Sequence, residues 1–150
     1  MVVSFFGHKK IYYNDLDLDL EQIISTIEVE ACGQHVEFFL GGYGNFDAIG
    51  LRCAQLYKKL HPETKLVFIT PYIHENYCLL QDAKEIYDEV IYPELELVPP
   101  RYAIPRRNRW MVNESDFIIF YVISHFGGAY DALRHAQSKK KKYINLYQKA

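Results

Sequence analysis

The sequence predicts an α/β fold with a doubly wound, mostly parallel sheet covered by helices on both faces. Three observations carry that prediction. Short apolar runs without polar alternation recur along the chain, as strands buried on both faces require. Amphipathic stretches of helical period separate them. The turns that follow the runs are rich in glycine, with pairs at Gly41-Gly42 and Gly127-Gly128.

The elements follow in order. Val2 to Phe6 reads as a first strand, stopped at Gly7. Asp19 and, three residues on, Gln22 have the pattern of an N-cap and its capping-box partner, opening a helix through Ile23, Ile24 and Ile27 that stops at Gly33. Val36 to Leu40 is the second strand. Asp47 to Leu60 is a helix with Ile49, Cys53, Leu56 and Leu60 on one face, ended by Pro62. Leu66 to Ile69 is the third strand and residues 75–87 a helix. Glu89 to Tyr92 is a short strand. Pro93 to Pro105, with four prolines, reads as one long irregular segment, and a helix from about Arg106 to Asn113 follows. Asp116 to Ile123 is the most apolar strand, Gly128 to Ser138 a helix, and Tyr143 to Leu146 a last strand. No linker divides these elements, so residues 1–150 are expected to form one Rossmann-like domain.

Composition narrows the class of partner. Seventeen Lys and Arg against nineteen Asp and Glu leave a net charge of -2, which argues against a chain devoted to gripping a nucleic-acid backbone. The charge is segregated, however: residues 1–75 carry 6 basic and 10 acidic side chains, residues 76–150 carry 11 and 9. The second-half excess is concentrated at Arg101, Arg106, Arg107 and Arg109 and at Lys139 to Lys142. Helical spacing puts Arg106 and Arg109 on one face and Arg107 on another. The lysine run reads as a solvated helix end, where cations are favoured. The longest apolar run, Phe117 to Ile123, is far short of the roughly 20 residues of a membrane span. Met1 to His8 lacks the charged start and cleavage site of a secretory signal, so a cytoplasmic location is expected. Cys32, Cys53 and Cys78 form no metal or redox motif and are expected to be reduced and mostly buried. The six histidines show no metal spacing, and Asp15 to Asp19 fails as a calcium loop because Leu20 and Thr26 stand where Gly and Glu are needed. No motif calls for a cofactor or a metal.

In doubly wound sheets, ligands bind beyond the carboxyl ends of the strands, near the point where strand order reverses. The turns at that edge are Gly7-His8, Gly41-Gly42-Tyr43-Gly44-Asn45, Pro71-Tyr72 and Ser124-His125-Phe126-Gly127-Gly128. Backbone N–H groups at a glycine turn leading into a helix suit an anion. Asp47 and Asp131 lie in the first turns of their helices, where each is either a cap or a contact to a ribose hydroxyl. Arg107 is of the type that recognises phosphate bidentately. Most of the 23 aromatic residues fall on strands, but Tyr43, Tyr72, Phe126 and Tyr130 sit on or beside the turns, where a base or sugar could stack.

Four segments in this order resemble the SLOG superfamily, named for its SMF/DprA and LOG members, and most closely its YpsA-like branch. Gly7-His8-Lys9 is similar to a G-x-R type turn and Gly41-Gly42-Tyr43-Gly44-Asn45-Phe46-Asp47 to a G-G-A-x-G-x-D pattern. Arg107-Asn108-Arg109-Trp110-Met111-Val112 with Ser115-Asp116, and Gly127-Gly128-Ala129 before the last helix, complete the match. The resemblance implies a small nucleotide-derived ligand at the strand ends, lined by Gly7, Gly41, Gly42, Gly44, Asp47, Arg107, Asn108, Gly127 and Gly128; His8, Tyr43 and Ala129, in the same turns, complete the expected site, and a sensor or accessory role is the leading expectation. LOG members cleave the N-glycosidic bond of a nucleoside monophosphate with an Arg and a Glu. Here Ala132 stands at one candidate Glu position and Ala48 at the other, which leaves Asp131, Asp47 and Arg107 as candidates for such chemistry. A DprA-like single-strand DNA binder is a third reading, and a homodimer is compatible with the pattern.

Overall fold

The computed structural model describes residues 1–8, 18–42, 44–72 and 84–147. Six parallel strands form one sheet: β1 (Val2–Gly7), β2 (Glu37–Leu40), β3 (Lys65–Ile69), β4 (Glu89–Ile91), β5 (Phe117–Tyr121) and β6 (Lys142–Asn145), in the spatial order β4-β3-β2-β1-β5-β6. Among the described residues four helices are seen from end to end: α1 (Leu20–Ala31), α2 (Asn45–Leu60), α3 (Ala103–Glu114) and α4 (Gly128–Ser138). The fold is the predicted α/β, Rossmann-like one. The expected helix over 75–87 lies largely outside the described residues, as do Tyr43, Cys78 and most of the rejected calcium loop.

Burial sorts the helices into two layers. Ile23, Ile24 and Ile27 of α1 and Phe46, Ile49, Cys53 and Tyr57 of α2 pack on one sheet face with Val3, Phe5, Phe38, Phe117 and Ile119. Met111 and Val112 of α3 and Ala132, Leu133 and Ala136 of α4 pack on the other with Phe6, Phe39, Ile118 and Phe120. Alternate residues of β1 and β5 therefore feed opposite cores, which is why these strands read as unbroken apolar runs. The central pairing is β1 with β5, in register from Val3↔Phe117 to Gly7↔Tyr121. After β4 the chain crosses back over the sheet to β5, so strand order reverses between β1 and β5.

Several local expectations are corrected. The buried face of α2 is centred on Phe46, Ile49, Cys53 and Tyr57, and Leu60, expected on it, is 63% exposed at the last turn. Tyr57 is the last buried residue of the helix, so the periodic pattern runs one turn past the core it serves. α3 begins at Ala103, behind a 3-10 turn at Pro100–Tyr102, and so includes Pro105. Proline is tolerated there because first-turn N–H groups have no partner within the helix. Cys32 is exposed rather than buried, since it is the left-handed C-cap of α1 (φ 49°). Cys53 is buried, and burial pushes its thiol up to about 12, leaving it a packing group. Asp19 does cap α1, its side chain accepting from the N–H groups of Glu21 and Gln22.

Candidate functional site

The strand reversal leaves a cavity of 380 Å³ at the carboxyl ends of β1, β2 and β5. Phe5, Phe6, Gly7 and His8 come from β1 and its end, Gly41 follows β2, and Asp47 comes from the first turn of α2. Ile104, Arg107, Asn108 and Met111 line it from α3, and Ser124, Phe126, Gly127, Gly128 and Ala129 from the turn into α4. Nine of the twelve expected ligand-edge residues are thereby brought together: Gly7, His8, Gly41, Asp47, Arg107, Asn108, Gly127, Gly128 and Ala129.

The glycines divide into those that serve packing and those that leave space. A Cβ on Gly7 would lie 2.3 Å from Cγ of Phe46, so this glycine admits the Phe46 ring to the core. Gly42 has φ +74° and lies under the Phe68 ring, off the cavity lining. Gly44, at φ 89°, is the N-cap of α2 and likewise lies off the lining. Gly127, at φ +98°, is the N-cap of α4, and a Cβ there would meet nothing within 4 Å. A Cβ on Gly128 would meet only the Asn108 side-chain nitrogen, at 3.9 Å. The amino end of α4, with its partial positive charge, thus opens onto the cavity unscreened by side chains.

Arg107 is only 3% exposed. Its Nη1 donates to the carbonyl oxygens of Gly41 (3.1 Å) and Ile69 (2.9 Å), and its Nε to Oδ1 of Asn108 (3.0 Å). It ties α3 to the ends of β2 and β3 and packs closely on Gly41, where a Cβ would lie 3.2 Å from Nη1. A cation is therefore built into the cavity wall, with much of its donor capacity spent on backbone carbonyls. His8 accepts at Nε2 from the backbone N–H groups of Ile123 (2.8 Å) and Ser124 (3.3 Å), and burial holds its pKa below the ordinary histidine value. Asp47 faces the same space, and its charge adds to burial in pushing the Tyr87 hydroxyl up to about 12.

Asp131 is exposed on α4 and does not line the cavity, and Ala132, one of the two residues expected where LOG members carry Glu, is buried in the core. Among the aromatic candidates, Phe126 lines the cavity although its residue is 76% exposed. Tyr130 instead stands against His125, with ring centroids 5.7 Å apart. The reading from sequence missed Ile104 and Met111. Their signal is the spacing 104, 107, 108, 111, a single helical face once α3 is started early enough.

No protein-family model matches the chain, and no curated protein matches it. Solved structures do. DNA processing protein A from Helicobacter pylori, described for its single-stranded DNA binding mode, aligns with 19% identity and a TM-score of 0.65, over 99% of this chain and 66% of that one. The fold is similar to that of DNA processing protein A. The homologous protein from Streptococcus pneumoniae aligns with 13% identity and a TM-score of 0.70, over 98% of this chain and 50% of that one. TM1055, a structural genomics target, aligns with 11% identity and a TM-score of 0.57, over 95% of this chain and 71% of that one. The chain thus spans between half and just under two thirds of the DNA processing proteins it matches.

Proposed function

We propose that the protein binds a nucleotide or nucleotide-derived ligand in the cavity between the ends of β1 and β5, in a sensor or accessory role, as a SLOG-like domain of the YpsA-like kind. The observation that carries this reading is the open amino end of α4: Gly127 and Gly128 face the cavity with no side chain in the way. A phosphate there would meet backbone N–H groups and the helix dipole. Asp47 across the cavity is suited to accept from ribose hydroxyls, and Phe126 at the mouth offers a face for a base. The volume is at the small end of ligand pockets, matched to one nucleotide rather than a dinucleotide. Thermal shift across nucleoside mono- and diphosphates and ADP-ribose derivatives tests it. A ligand at 100 times its Kd adds about 2.7 kcal/mol, and no shift with any of them overturns the reading.

Hydrolysis of an N-glycosidic bond would rest on Asp47, since Asp131 stands outside the cavity. A polynucleotide reading has its own support. Residues 101–142, which build α3, β5 and α4, carry nine basic and three acidic side chains. His135 of α4 has a pKa held down by burial and by the charges of Arg109 and Lys139, which lie on the side of the sheet that α3 and α4 cover. Affinity for single-stranded DNA that falls steeply with salt would favour this second reading, and absence of binding at low salt would retire it.

A further inference from the structure

The β1–β5 ladder ends at Gly7↔Tyr121. Beyond that point the backbone of β5 runs into the turn toward α4: the Val122 N–H donates to Oδ1 of Asn145 in β6 (3.0 Å), and the Ile123 and Ser124 amides point back toward the end of β1. The His8 ring takes the strand's place, with Nε2 2.8 Å from the Ile123 nitrogen and 3.3 Å from that of Ser124. We propose that His8 is the positioning residue of the cavity: by accepting these two N–H groups it fixes the turn that presents Ser124, Phe126, Gly127 and Gly128. For the identity of what is presented, this rests on the nucleotide reading above.

The contact is specific in its chemistry. Both partners are donors, so Nε2 must carry a lone pair and the proton must sit on Nδ1. Arginine and lysine have no acceptor and cannot replace it, whereas the amide oxygen of glutamine can. Protonation would aim an N–H at two N–H groups. The charged groups that share the cavity with the ring are Asp47 from α2 and Arg107 from α3, and His125 follows Ser124 on the turn. Burial lowers the pKa of the ring and so favours its neutral form. A second consequence concerns the ligand. The Ile123 and Ser124 amides are already occupied, so an anion is directed to the Gly127–Gly128 end of the turn, and His8 does not act as a cationic phosphate clamp.

The test compares His8→Gln, His8→Ala and His8→Arg with the parent chain in two measurements. The first needs no ligand: backbone amide exchange of Ile123 and Ser124 relative to their intrinsic rates. Protection is retained in His8→Gln and falls about tenfold in His8→Ala and His8→Arg, as expected when a hydrogen bond worth about 1.4 kcal/mol is lost. In the parent chain protection also declines as the ring protonates at acid pH, and in His8→Gln it does not. The second is the Kd for AMP. His8→Gln stays near the parent value, and His8→Ala and His8→Arg weaken binding about tenfold, the arginine variant despite its added charge. Unchanged exchange in His8→Ala and His8→Arg overturns the proposal, as does AMP binding by His8→Arg as tight as the parent's. Exchange that follows this pattern in a chain that binds no nucleotide supports the turn contact and overturns the nucleotide reading.

Discussion

Replacing Arg107 by methionine separates two roles that the sequence could not distinguish. The variant keeps an aliphatic stem in the cavity wall and removes the guanidinium that bonds the Gly41 and Ile69 carbonyls. Each stranded buried acceptor costs about 1–3 kcal/mol. Release of a buried charge from desolvation, and water entering from the cavity, offset part of that sum. The net expectation is a loss of about 2–4 kcal/mol, or roughly 5–15 °C in Tm for a chain of this length. Urea unfolding followed by the single tryptophan is the assay, because Trp110 lies on α3 and stacks on Phe39 of the sheet, with centroids 5.6 Å apart. The midpoint should fall with the slope unchanged. Stability within about 0.5 kcal/mol of the parent, together with abolished AMP binding, would refute the reasoning. Arg107 would then act on the ligand and not as a strut between α3 and the sheet.

Three further outcomes follow from the geometry. Gly7→Ala should destabilise the fold by about 1–3 kcal/mol through its overlap with Phe46, and Phe46→Leu in the same chain should recover part of the loss. Denaturant titration of the two variants checks this. Asp47→Asn should weaken AMP binding about tenfold and Asp131→Asn leave it unchanged, measured by calorimetry, because Asp47 alone of the two lines the cavity. The pH dependence of stability has a defined sign. His8 and His135 are held below the ordinary value of about 6.5, so the unfolded chain binds more protons in that window. Their contribution is complete above about pH 6.5 and is lost as pH falls through the folded values, and a His8→Gln/His135→Gln chain should flatten the profile between pH 7 and 5.

Much of the architecture was legible because strands buried on both faces leave an unmistakable pattern. Phe117 to Tyr121 could hardly be anything but a central strand, and the bounds of α4 follow from Gly128 and the period of Ala132, Leu133 and Ala136. The gathering of the glycine turns at one edge followed from parallel strands alone. What sequence could not supply was direction relative to a surface. Spacing separated Arg107 from Arg106 and Arg109, but only packing shows that its face turns inward onto two strand-end carbonyls. Asp131 was visibly a first-turn residue, yet which way it pointed depended on how α4 docks. Cys32 has small neighbours in sequence and still lies at the surface, because a left-handed cap projects from the helix end. Arg109 and Lys139 are thirty residues apart and both act on His135 because α3 and α4 cover the same side of the sheet.

The central claim is that the cavity between the ends of β1 and β5 holds a nucleotide. Titration of AMP into the isotopically labelled chain, followed amide by amide, tests it most directly. A nucleotide in the cavity produces saturable shifts concentrated at Gly7, His8, Gly41, Asp47, Asn108 and Ser124 to Ala129, the residues around it. Shifts confined to the exposed basic face of α3 and α4, or none at millimolar AMP and ADP-ribose, would contradict it.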